Sequence, residues 1–394
     1  MTGAIVVGGG IGGLASAVAL AEAGWGTTVL ERARELGEVG AGVALTPNAV
    51  AALGGLGFDD EAVAGLGPRT WATGTWDSRG RPILRLPDEP GLRATTALRG
   101  VHRARLHGAL LDRARALGVD VVTDARVTAV VAGAPDGERA VVHHADRAGA
   151  ERAREAELVV GADGVRSAVR AALFPGRGPV YSGFSSWRAV VPGLDAGPGL
   201  LQYWGPHAEF GTMPVSEGAT YWYGYVRMPA GTRLDDEHAA ATARFADWAD
   251  EVRRVIAATP PDAVIRHDVL HLPGGLPRYV RGRVVMVGDA AHATVPTMGQ
   301  GAATALEDGV CVGRIVAAGV ASGEPLGEAL AAYDAARRPR CRALARASVA
   351  SGRFGSHLGP RGQALRNALM RRVPAAAVTR GARAVMGWTP PALP

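Results

Sequence analysis

Short apolar runs and amphipathic stretches alternate along this 394-residue chain. The first unit is an apolar strand at residues 5–7, a helix at 14–23 that ends at Gly24, and a second strand at 27–30. The same two periodicities predict strands at 119–122, 126–131, 140–144, 158–160 and 284–287, and helices at 47–53, 103–117, 302–318 and 326–345. Strands that alternate with helices are typical of an α/β protein with a parallel sheet.

The pattern changes between residues 179 and 269. Ten of the chain's 21 aromatic residues lie between Tyr181 and Tyr225, in short alternating runs separated by glycine and proline. This texture predicts a β-sheet module. One helix is predicted to follow it at 235–257.

We therefore expect an α/β fold with three parts. The two separated stretches 1–177 and 279–345 are predicted to form one domain with the parallel sheet. Residues 178–278 would form an inserted β-sheet domain, and residues 346–394 a helical C-terminal segment. Pockets form preferentially between domains, so we expect the functional site at the junction of the first two parts.

The charge distribution sets the C-terminal part of the chain apart. The net charge is +6, and twelve arginines but no acidic residue follow Asp334. Such a segment could attract nucleic acid, a membrane surface or a phosphate-bearing cosubstrate. No nucleic-acid-binding motif is present. We expect a helix that packs Leu365, Leu369 and Val373 against the rest of the protein. Neither nucleic acid nor a membrane is expected as a partner.

The cysteines and the N-terminus bear on the compartment. Cys311 and Cys341 lie outside any C-x-x-C pattern, which favours a reducing cytoplasm and argues against a disulfide scaffold or a redox-active pair. The first 21 residues carry no charged side chain, but glycines interrupt them and no basic region precedes them. They are therefore expected to be neither a membrane span nor a signal peptide. We predict a cytoplasmic protein.

A glycine-rich turn joins the first strand to the first helix. Residues 8–13 read GGGIGG: Gly8 allows the tight turn, Gly10 lets the backbone approach a pyrophosphate, and Gly13 permits close packing of helix on strand. Glu31 closes the second strand, 18 residues after Gly13. A carboxylate there binds ribose hydroxyls and disfavours a 2′-phosphate. The segment therefore predicts a dinucleotide site, and the stretches 1–177 and 279–345 are expected to form a Rossmann-like nucleotide-binding domain.

Two glycine-aspartate motifs each follow an apolar strand. Residues 161–164 read GADG and residues 288–292 read GDAAH. Shortly after the second motif, GQG at 299–301 opens a long helix, so its amide groups and positive dipole end can face a negative ligand group. His292 could be a base, but we expect a packed histidine that holds its turn.

With these motifs in place, the chain resembles the single-component (group A) FAD-dependent aromatic monooxygenases of the p-hydroxybenzoate hydroxylase and salicylate hydroxylase type. The resemblance runs nearly end to end. Further similarities are GAGV at 40–43 with Pro47-Asn48, the helix start His102-Arg103, Glu307-Asp308, and Tyr333 through Arg337-Arg338-Pro339.

The resemblance implies a set of FAD contacts. The first motif would hold the ADP half, Asp163 would lie where flavin and pyridine nucleotide meet, Asp289 would bind the ribityl chain, and Arg103 would reach the flavin. The full set implied is Gly8, Gly10, Gly12, Gly13, Leu14, Glu31, Arg32, Val43, Arg103, Val127, Asp163, Asp289, Pro296, Gly299, Gly301 and Ala302. No metal is implied.

The resemblance also implies the reaction. NADH or NADPH, bound transiently, would reduce the flavin, O2 would add to give the C4a-hydroperoxide, and a small aromatic or polyketide-like substrate would be hydroxylated. Epoxidation, Baeyer-Villiger oxidation and a non-catalytic flavoprotein that captures a compound are alternatives. A monomer or a homodimer is expected.

The inserted β-sheet domain at 178–278 would bind the substrate, but its binding residues are less defined by the sequence. Tyr221, Tyr223 and Tyr225 alternate, so they would project from one face of a strand. Arg188, Tyr203 and Tyr223 are the candidates for the substrate pocket, since an aromatic-lined sheet with one arginine suits a flat, anionic or phenolic molecule. Ordinary core packing is the alternative for each of them.

Overall fold

A computed structural model describes residues 3–37, 41–86, 90, 93, 96–216, 218–374, 377, 380–381 and 385–394. Its strands, numbered in chain order, are β1 (Gly3–Val7), β2 (Gly26–Leu30), β3 (Gly42–Leu45), β4 (Arg69–Asp77), β5 (Pro82–Arg85), β6 (Ala97–His102), β7 (Asp120–Val122), β8 (Arg126–Val131), β9 (Ala140–Ala145), β10 (Glu151–Ala156), β11 (Leu158–Gly161), β12 (Val180–Pro192), β13 (Leu200–Gly205), β14 (Ala208–Ser216), β15 (Ala219–Arg227), β16 (Ile265–His271), β17 (Val280–Arg281) and β18 (Val284–Met286).

The helices are α1 (Ile11–Glu22), α2 (Pro47–Gly55), α3 (Asp60–Leu66), α4 (Arg103–Ala116), α5 (Ala168–Leu173), α6 (Glu237–Arg244), α7 (Asp250–Ala257), α8 (Asp289–His292), α9 (Gly301–Cys311), α10 (Ala318–Ala321), α11 (Leu326–Phe354) and α12 (Pro360–Met370). A π-helical segment, Val312–Ala317, joins α9 to α10. In the described part of the chain, no helix is both long and apolar enough to cross a bilayer.

The N-terminal β-α-β unit lies in a six-stranded sheet of order β17-β18-β11-β1-β2-β7. All neighbours in it are parallel except β17 and β18. Helix α1 packs closely against α9 and the π-helical segment that follows it, because Gly309 faces Ala15 and Gly313 faces Ala19. Strand β1 is apolar and buried over residues 4–7, as is typical of a central parallel strand. A separate three-stranded sheet, β10-β9-β8, lies beside it.

The larger sheet has the order β16-β12-β15-β14-β13-β4-β6-β3, with β5 paired to β4. One face packs an aromatic core that includes Trp187, Phe210 and Trp222, beneath α6 and α7. Strand alternation puts Tyr221, Tyr223 and Tyr225 on the opposite face.

The expected fold class, a Rossmann-like α/β domain combined with a large β-sheet, is confirmed. The sequence patterns missed β3 to β6, which belong to the large sheet although they precede residue 178. Hydrogen bonding in that sheet therefore crosses the predicted boundary at 177/178. The division into domains stays a prediction.

Two predicted helices differ in extent. The helix expected at 235–257 is two helices, because the backbone amide of Ala249 hydrogen-bonds the carbonyl of Ser78 at 2.8 Å instead of a helical partner. The helix expected at 326–345 continues to Phe354. Gly40 and most of the stretch 374–386 fall outside the described residues.

The orientation predicted for the C-terminal helix is wrong. In α12, Leu365 and Leu369 are 66% and 53% exposed, whereas Gln363 and Arg366 are buried. The polar side chains turn inward because they have partners there: the Gln363 amide donates to the carbonyls of Gly205 and Gly355, each at 2.9 Å. Helix α12 therefore lies on the large sheet by its polar face.

A buried ion-pair network joins α9 to α11. The Glu307 and Asp308 side chains are completely buried. Arg337 pairs with Glu307 at 2.8 Å and with Asp308 at 2.7 Å, and Arg340 pairs with Glu307 at 2.6 Å. Burying a carboxylate is costly unless it is paired and hydrogen-bonded. Two arginines supply that compensation here.

The network extends to the two turns that follow β18. Asp308 accepts hydrogen bonds from the Gly288 amide at 2.8 Å and from His292 Nε2 at 2.5 Å. On the other side, the Asn48 amide donates to Glu307 at 2.7 Å and to Gln300 at 3.0 Å. The turns at 288–289 and 299–301 are therefore held by the same charges. His292 packs and holds its turn, as expected.

Burial and neighbouring charges shift the pKa values in this network. Burial by itself would raise the pKa of Asp308, but His292 and Arg337 lower it to about 2. Burial favours a neutral His292, yet Cys341 and the Asp308 carboxylate outweigh it and raise the pKa of His292 well above its ordinary value. Asp308 is therefore ionised and His292 protonated at neutral pH.

Arg337→Met is expected to lower the free energy of unfolding by about 3–5 kcal/mol, because it leaves two carboxylates buried with less compensation. Urea unfolding followed by tryptophan fluorescence measures this. Arg338→Met is the matched control, since Arg338 lies on the same helix and pairs with the partly exposed Asp334 at 2.9 Å. It should cost less than about 1 kcal/mol. Equal losses in the two variants would contradict the importance given to the network.

Asp308 also predicts a pH dependence of stability. Its pKa is lower in the folded protein, so its contribution is present above the ordinary value of 3.8 and is lost as the pH falls towards 2. The expected loss is roughly 2 kcal/mol between about pH 4 and pH 2. Asp308→Asn should flatten this part of the stability curve, whereas Asp334→Asn should keep it. His292 acts oppositely, since its contribution is lost as the pH rises above 6.5.

Candidate functional site

One cavity of about 640 Å³ lies between the two larger sheets. The glycine-rich turn, α8 and the start of α9 form one wall, and the tyrosine face of the large sheet forms the other. The predicted site residues that line it are Gly10, Gly12, Val43, Arg103, Asp289, Pro296, Gly299, Gly301, Ala302, Arg188 and Tyr223. The structure thus brings together residues that are nearly 300 positions apart in the sequence.

The glycine-rich turn packs closely against β1 on one side and is open to the cavity on the other. A side chain at Gly13 would collide with the carbonyl oxygen of Gly8, so only glycine lets α1 pack on β1 at this point. Nothing lies within 4 Å of a side chain built at Gly10. Helix α1 has no side-chain cap and no acid in its first turn. Its amide groups are therefore available to an anionic diphosphate.

Glu31 lies at the end of β2, beside this turn. Its carboxylate accepts hydrogen bonds from the Gly9 amide at 2.7 Å and from the Ala33 amide at 2.8 Å. Ala125, two residues before Val127, donates its amide to the Glu31 carbonyl at 2.8 Å. Glu31, Arg32 and Val127 therefore lie near one another, beyond the main cavity, where the ribose and adenine of a dinucleotide would extend from the turn.

Asp163 shapes the first glycine-aspartate turn. It does not line the cavity; its carboxylate accepts the amides of Ala168 at 2.6 Å and Val169 at 3.1 Å and so caps α5. Arg170 on that helix is buried and donates to the carbonyls of Val165 and Ala290, the second at 3.0 Å. One guanidinium therefore ties the two glycine-aspartate turns together. Sequence reasoning did not single out Arg170.

The second glycine-aspartate turn presents Asp289 to the cavity. Gly288 has φ +56°, a left-handed conformation that favours glycine, and Asp289 follows with an exposed side chain. Gly299 also has a positive φ, +63°, and leads into α9, whose N-terminus has no side-chain cap. A carboxylate and a set of open amides therefore face the same space.

The wall opposite carries polar groups among aromatic ones. Gly211 lies between Gln202 and Tyr223 in the sheet register. A side chain at Gly211 would collide with the Tyr223 ring, so this glycine lets Tyr223 lie across β14. The Gln202 amide then donates to the Tyr223 hydroxyl at 3.0 Å. Arg188 faces the same cavity from β12, opposite Tyr223.

The structure does not bring Tyr203 to the cavity. Alternation along β13 turns Gln202 towards the cavity and Tyr203 into the aromatic core on the other face, where its ring lies 6.1 Å from that of Trp76. Gly8, Gly13 and the buried Leu14 lie behind the turn and do not line the cavity either. Gln202 and Met213 line it, and the sequence patterns missed them because the inward face of each strand depends on register.

One buried group has the composition of a metal site. His292, Asp308 and Cys341 place their ligand atoms within 4.8 Å of one another. Asp308 already accepts hydrogen bonds there from the Gly288 amide and His292, and the Arg337 guanidinium lies against it at 2.7 Å. Arg337 thus occupies the place of a cation. Both cysteines are free and buried, and burial raises the pKa of the Cys311 thiol to about 12.

The residues present fit a flavin dinucleotide. Gly10 leaves a backbone cradle that any side chain would fill, Glu31 offers a carboxylate for a ribose, and α9 directs amides at the cavity. Such amides stabilise negative charge on a reduced ring. The polar wall of Arg188, Gln202 and Tyr223 remains for a second, smaller molecule.

Known proteins identify the family. The family described as "FAD binding domain" matches residues 1–348. The chain is 35% identical to the aurachin C monooxygenase/isomerase of Stigmatella aurantiaca over 98% of both chains. It is 31% identical to the 2-heptyl-3-hydroxy-4(1H)-quinolone synthase of Pseudomonas aeruginosa over 95% of both chains.

A solved structure agrees. Klebsiella pneumoniae HpxO, complexed with FAD and uric acid, superposes with a TM-score of 0.84 at 28% identity, covering 98% of this chain and 96% of that one. The expected family, the FAD cofactor and the monooxygenase class are confirmed. This chain belongs to the FAD-binding family of FAD-dependent aromatic monooxygenases.

Proposed function

We propose that this protein uses NAD(P)H and O2 to hydroxylate a small nitrogen-containing aromatic ring, of the quinolone kind, that carries an apolar substituent. The observation that supports this most directly is the shared cavity. Turns suited to FAD form one wall, and Arg188, Gln202 and Tyr223 form the other. By their names, one of the relatives given above is an aurachin C monooxygenase/isomerase and the other is the synthase of a heptyl-substituted hydroxyquinolone.

An apolar part of the same cavity supports the substituent. Apolar side chains line it from five places: Ala72 on β4, Leu86 directly after β5, Leu98 on β6, Leu200 on β13 and Met213 on β14. These side chains offer no hydrogen-bonding partner to a polar ligand group. They suit an alkyl or isoprenoid chain, whose burial contributes roughly 0.8 kcal/mol per CH2 group. Urate, named with the solved structure, has no such chain.

FAD, when bound, takes reducing equivalents from the nicotinamide and activates O2 for transfer of one oxygen atom. The chain's own residues bind and orient. The α1 and α9 amides would hold the diphosphate and the flavin, Asp289 the ribityl chain, and Arg103 would lie over the cavity. Arg188 would attract electron-rich or anionic groups of the substrate, while the apolar side chains exclude water from the reacting centre.

The named relatives, a monooxygenase/isomerase and a synthase, favour neither epoxidation, Baeyer-Villiger oxidation nor mere capture of a compound. The use of NAD(P)H and O2, the monomeric or homodimeric state and the cytoplasmic location stay predictions.

The holoenzyme is expected to oxidise NADH or NADPH faster with 4-hydroxyquinolines that carry an alkyl chain than with unsubstituted 4-hydroxyquinoline. The lining of Leu86, Leu98 and Met213 is the reason. Stopped-flow reduction of the flavin and mass analysis of product formed under 18O2 measure this. If none of the aromatic compounds tested takes up 18O from 18O2, the result would count against a monooxygenase. Met213→Gln should remove the preference for the chain while leaving FAD binding intact.

Asp289→Ala is expected to weaken FAD binding by about 1–3 kcal/mol, the scale of a hydrogen bond to a charged group. Titration of the apoprotein with FAD, followed by flavin fluorescence, measures the dissociation constant. Asp136→Ala, an exposed aspartate in the turn between β8 and β9, is the matched control and should bind FAD normally. Unchanged affinity in folded Asp289→Ala would mean that this motif has been misassigned.

A further inference from the structure

Glu209 is a carboxylate buried directly behind the cavity wall. It lies on β14, on the same face as Gly211, and is 3% exposed. Tyr223 donates its hydroxyl hydrogen to Glu209 Oε1 at 2.6 Å, and the Gln202 amide reaches the same oxygen at 3.3 Å. Tyr223 and Gln202 line the cavity, whereas Glu209 does not. The acid is therefore connected to the cavity through a hydroxyl group.

The groups around Glu209 come from four elements. Tyr223 and Tyr225 face it from β15, and Trp204 from β13. Arg366, on α12, stacks its guanidinium over the Trp204 ring at 4.5 Å and acts on Glu209 as its nearby positive charge. Arg188, on β12, lies opposite Tyr223.

His357 lies beyond Tyr225, 3.4 Å from its hydroxyl. Burial and the neighbouring arginines Arg353 and Arg227 lower the pKa of His357 to about 4. His357 is therefore neutral near pH 7, and of these two groups it is Glu209 whose charge changes near that pH.

We propose that Glu209, acting through the Tyr223 hydroxyl, accepts the proton of an acidic O–H or N–H group on the aromatic substrate. This inference rests on the proposed function and adds a requirement to it, namely that the substrate carries such a group. The resulting anion is a more electron-rich ring, and electron-rich rings are the better acceptors of an electrophilic oxygen atom.

The proton transfer balances over three groups. The substrate's O–H or N–H bond breaks, and its proton goes to the Tyr223 oxygen. The original Tyr223 hydroxyl proton moves along its 2.6 Å hydrogen bond to Glu209 Oε1. The negative charge passes from Glu209 to the substrate, on the side of the cavity that Arg188 faces, and no oxidant or reductant takes part.

The titration of Glu209 is suited to this transfer. Burial is the main cause that raises its pKa to about 7, against the lowering effect of the Tyr223 hydrogen bond and Arg366. Burial, with the Glu209 charge, raises the pKa of Tyr223 well above its ordinary value, so Tyr223 passes a proton on without remaining ionised. Only ionised Glu209 accepts a proton, so formation of the substrate anion should increase as the pH rises through about 7.

The test uses the oxidised holoenzyme without NAD(P)H, and 4-cyanophenol as the probe. The infrared nitrile band reports whether the bound phenol is ionised, and the carboxylic C=O band reports whether Glu209 is protonated. Above pH 7, where Glu209 is ionised before binding, we expect binding to convert part of the probe to its anion, together with growth of a carboxylic band and no net release of protons to the solvent. In Glu209→Gln that band should be absent, and each probe molecule that ionises on binding should release about one proton to the solvent, which a pH indicator measures.

Two further variants complete the test. Tyr223→Phe should keep a titrating Glu209 band but uncouple it from ionisation of the probe, which a purely structural role would not do. Glu251→Gln, an equal charge change on the exposed surface of α7, is the control and should behave as the wild type. Equal proton release in wild type and Glu209→Gln, or no carboxylic band on binding, would overturn the proposal. Failure of the probe to bind would also count against it.

The outcome is separable from that of the proposed function. Ionisation of the probe coupled to protonation of Glu209, with no uptake of 18O by any aromatic compound, would support the proton acceptor and refute the hydroxylase. Hydroxylation with the same pH profile in wild type and Glu209→Gln would support the hydroxylase and refute the proton acceptor.

Discussion

The pairing of two buried carboxylates with two arginines is the interaction on which the cofactor wall depends. Glu307 and Asp308 lie on α9, and Arg337 and Arg340 reach them from α11. A buried charge without its partner costs several kcal/mol, so the four groups constrain one another's positions. Asp308 holds Gly288, and Asn48 connects Glu307 to Gln300. The turns that present Asp289 and the α9 amides are consequences of this arrangement.

The opposite wall is organised by strand alternation. The large sheet buries its aromatic core on one face and turns its polar groups to the other, where Gly211 leaves room for the Tyr223 ring. Helix α12 closes the rear of that face and brings Arg366 towards Glu209. The acid-free tail therefore has a specific part in the protein. At least one of its arginines supplies the charge that an otherwise isolated buried carboxylate requires.

The turns of the cofactor wall could be predicted from local motifs because their physics is local. A tight turn at Gly8, packing at Gly13 and an open helix terminus at α9 each depend on a few adjacent residues. The substrate wall could not be predicted in the same way. Tyr203 and Gln202 are neighbours in sequence, and only the register of β13 decides which of them faces the cavity.

The sequence by itself determined the parallel sheet, the dinucleotide turn, the glycine-aspartate motifs and, through their combination, the flavin family. Apolar periodicity also predicted a stripe at Leu365 and Leu369, and tertiary structure reversed it, because Gln363 found a hydrogen-bonding partner on the large sheet and Arg366 found one at the end of α11. Tertiary structure alone placed Glu209 behind Tyr223 and made β3, β4, β5 and β6 part of the large sheet. Contacts between residues distant in sequence decide these features, and no local pattern encodes them.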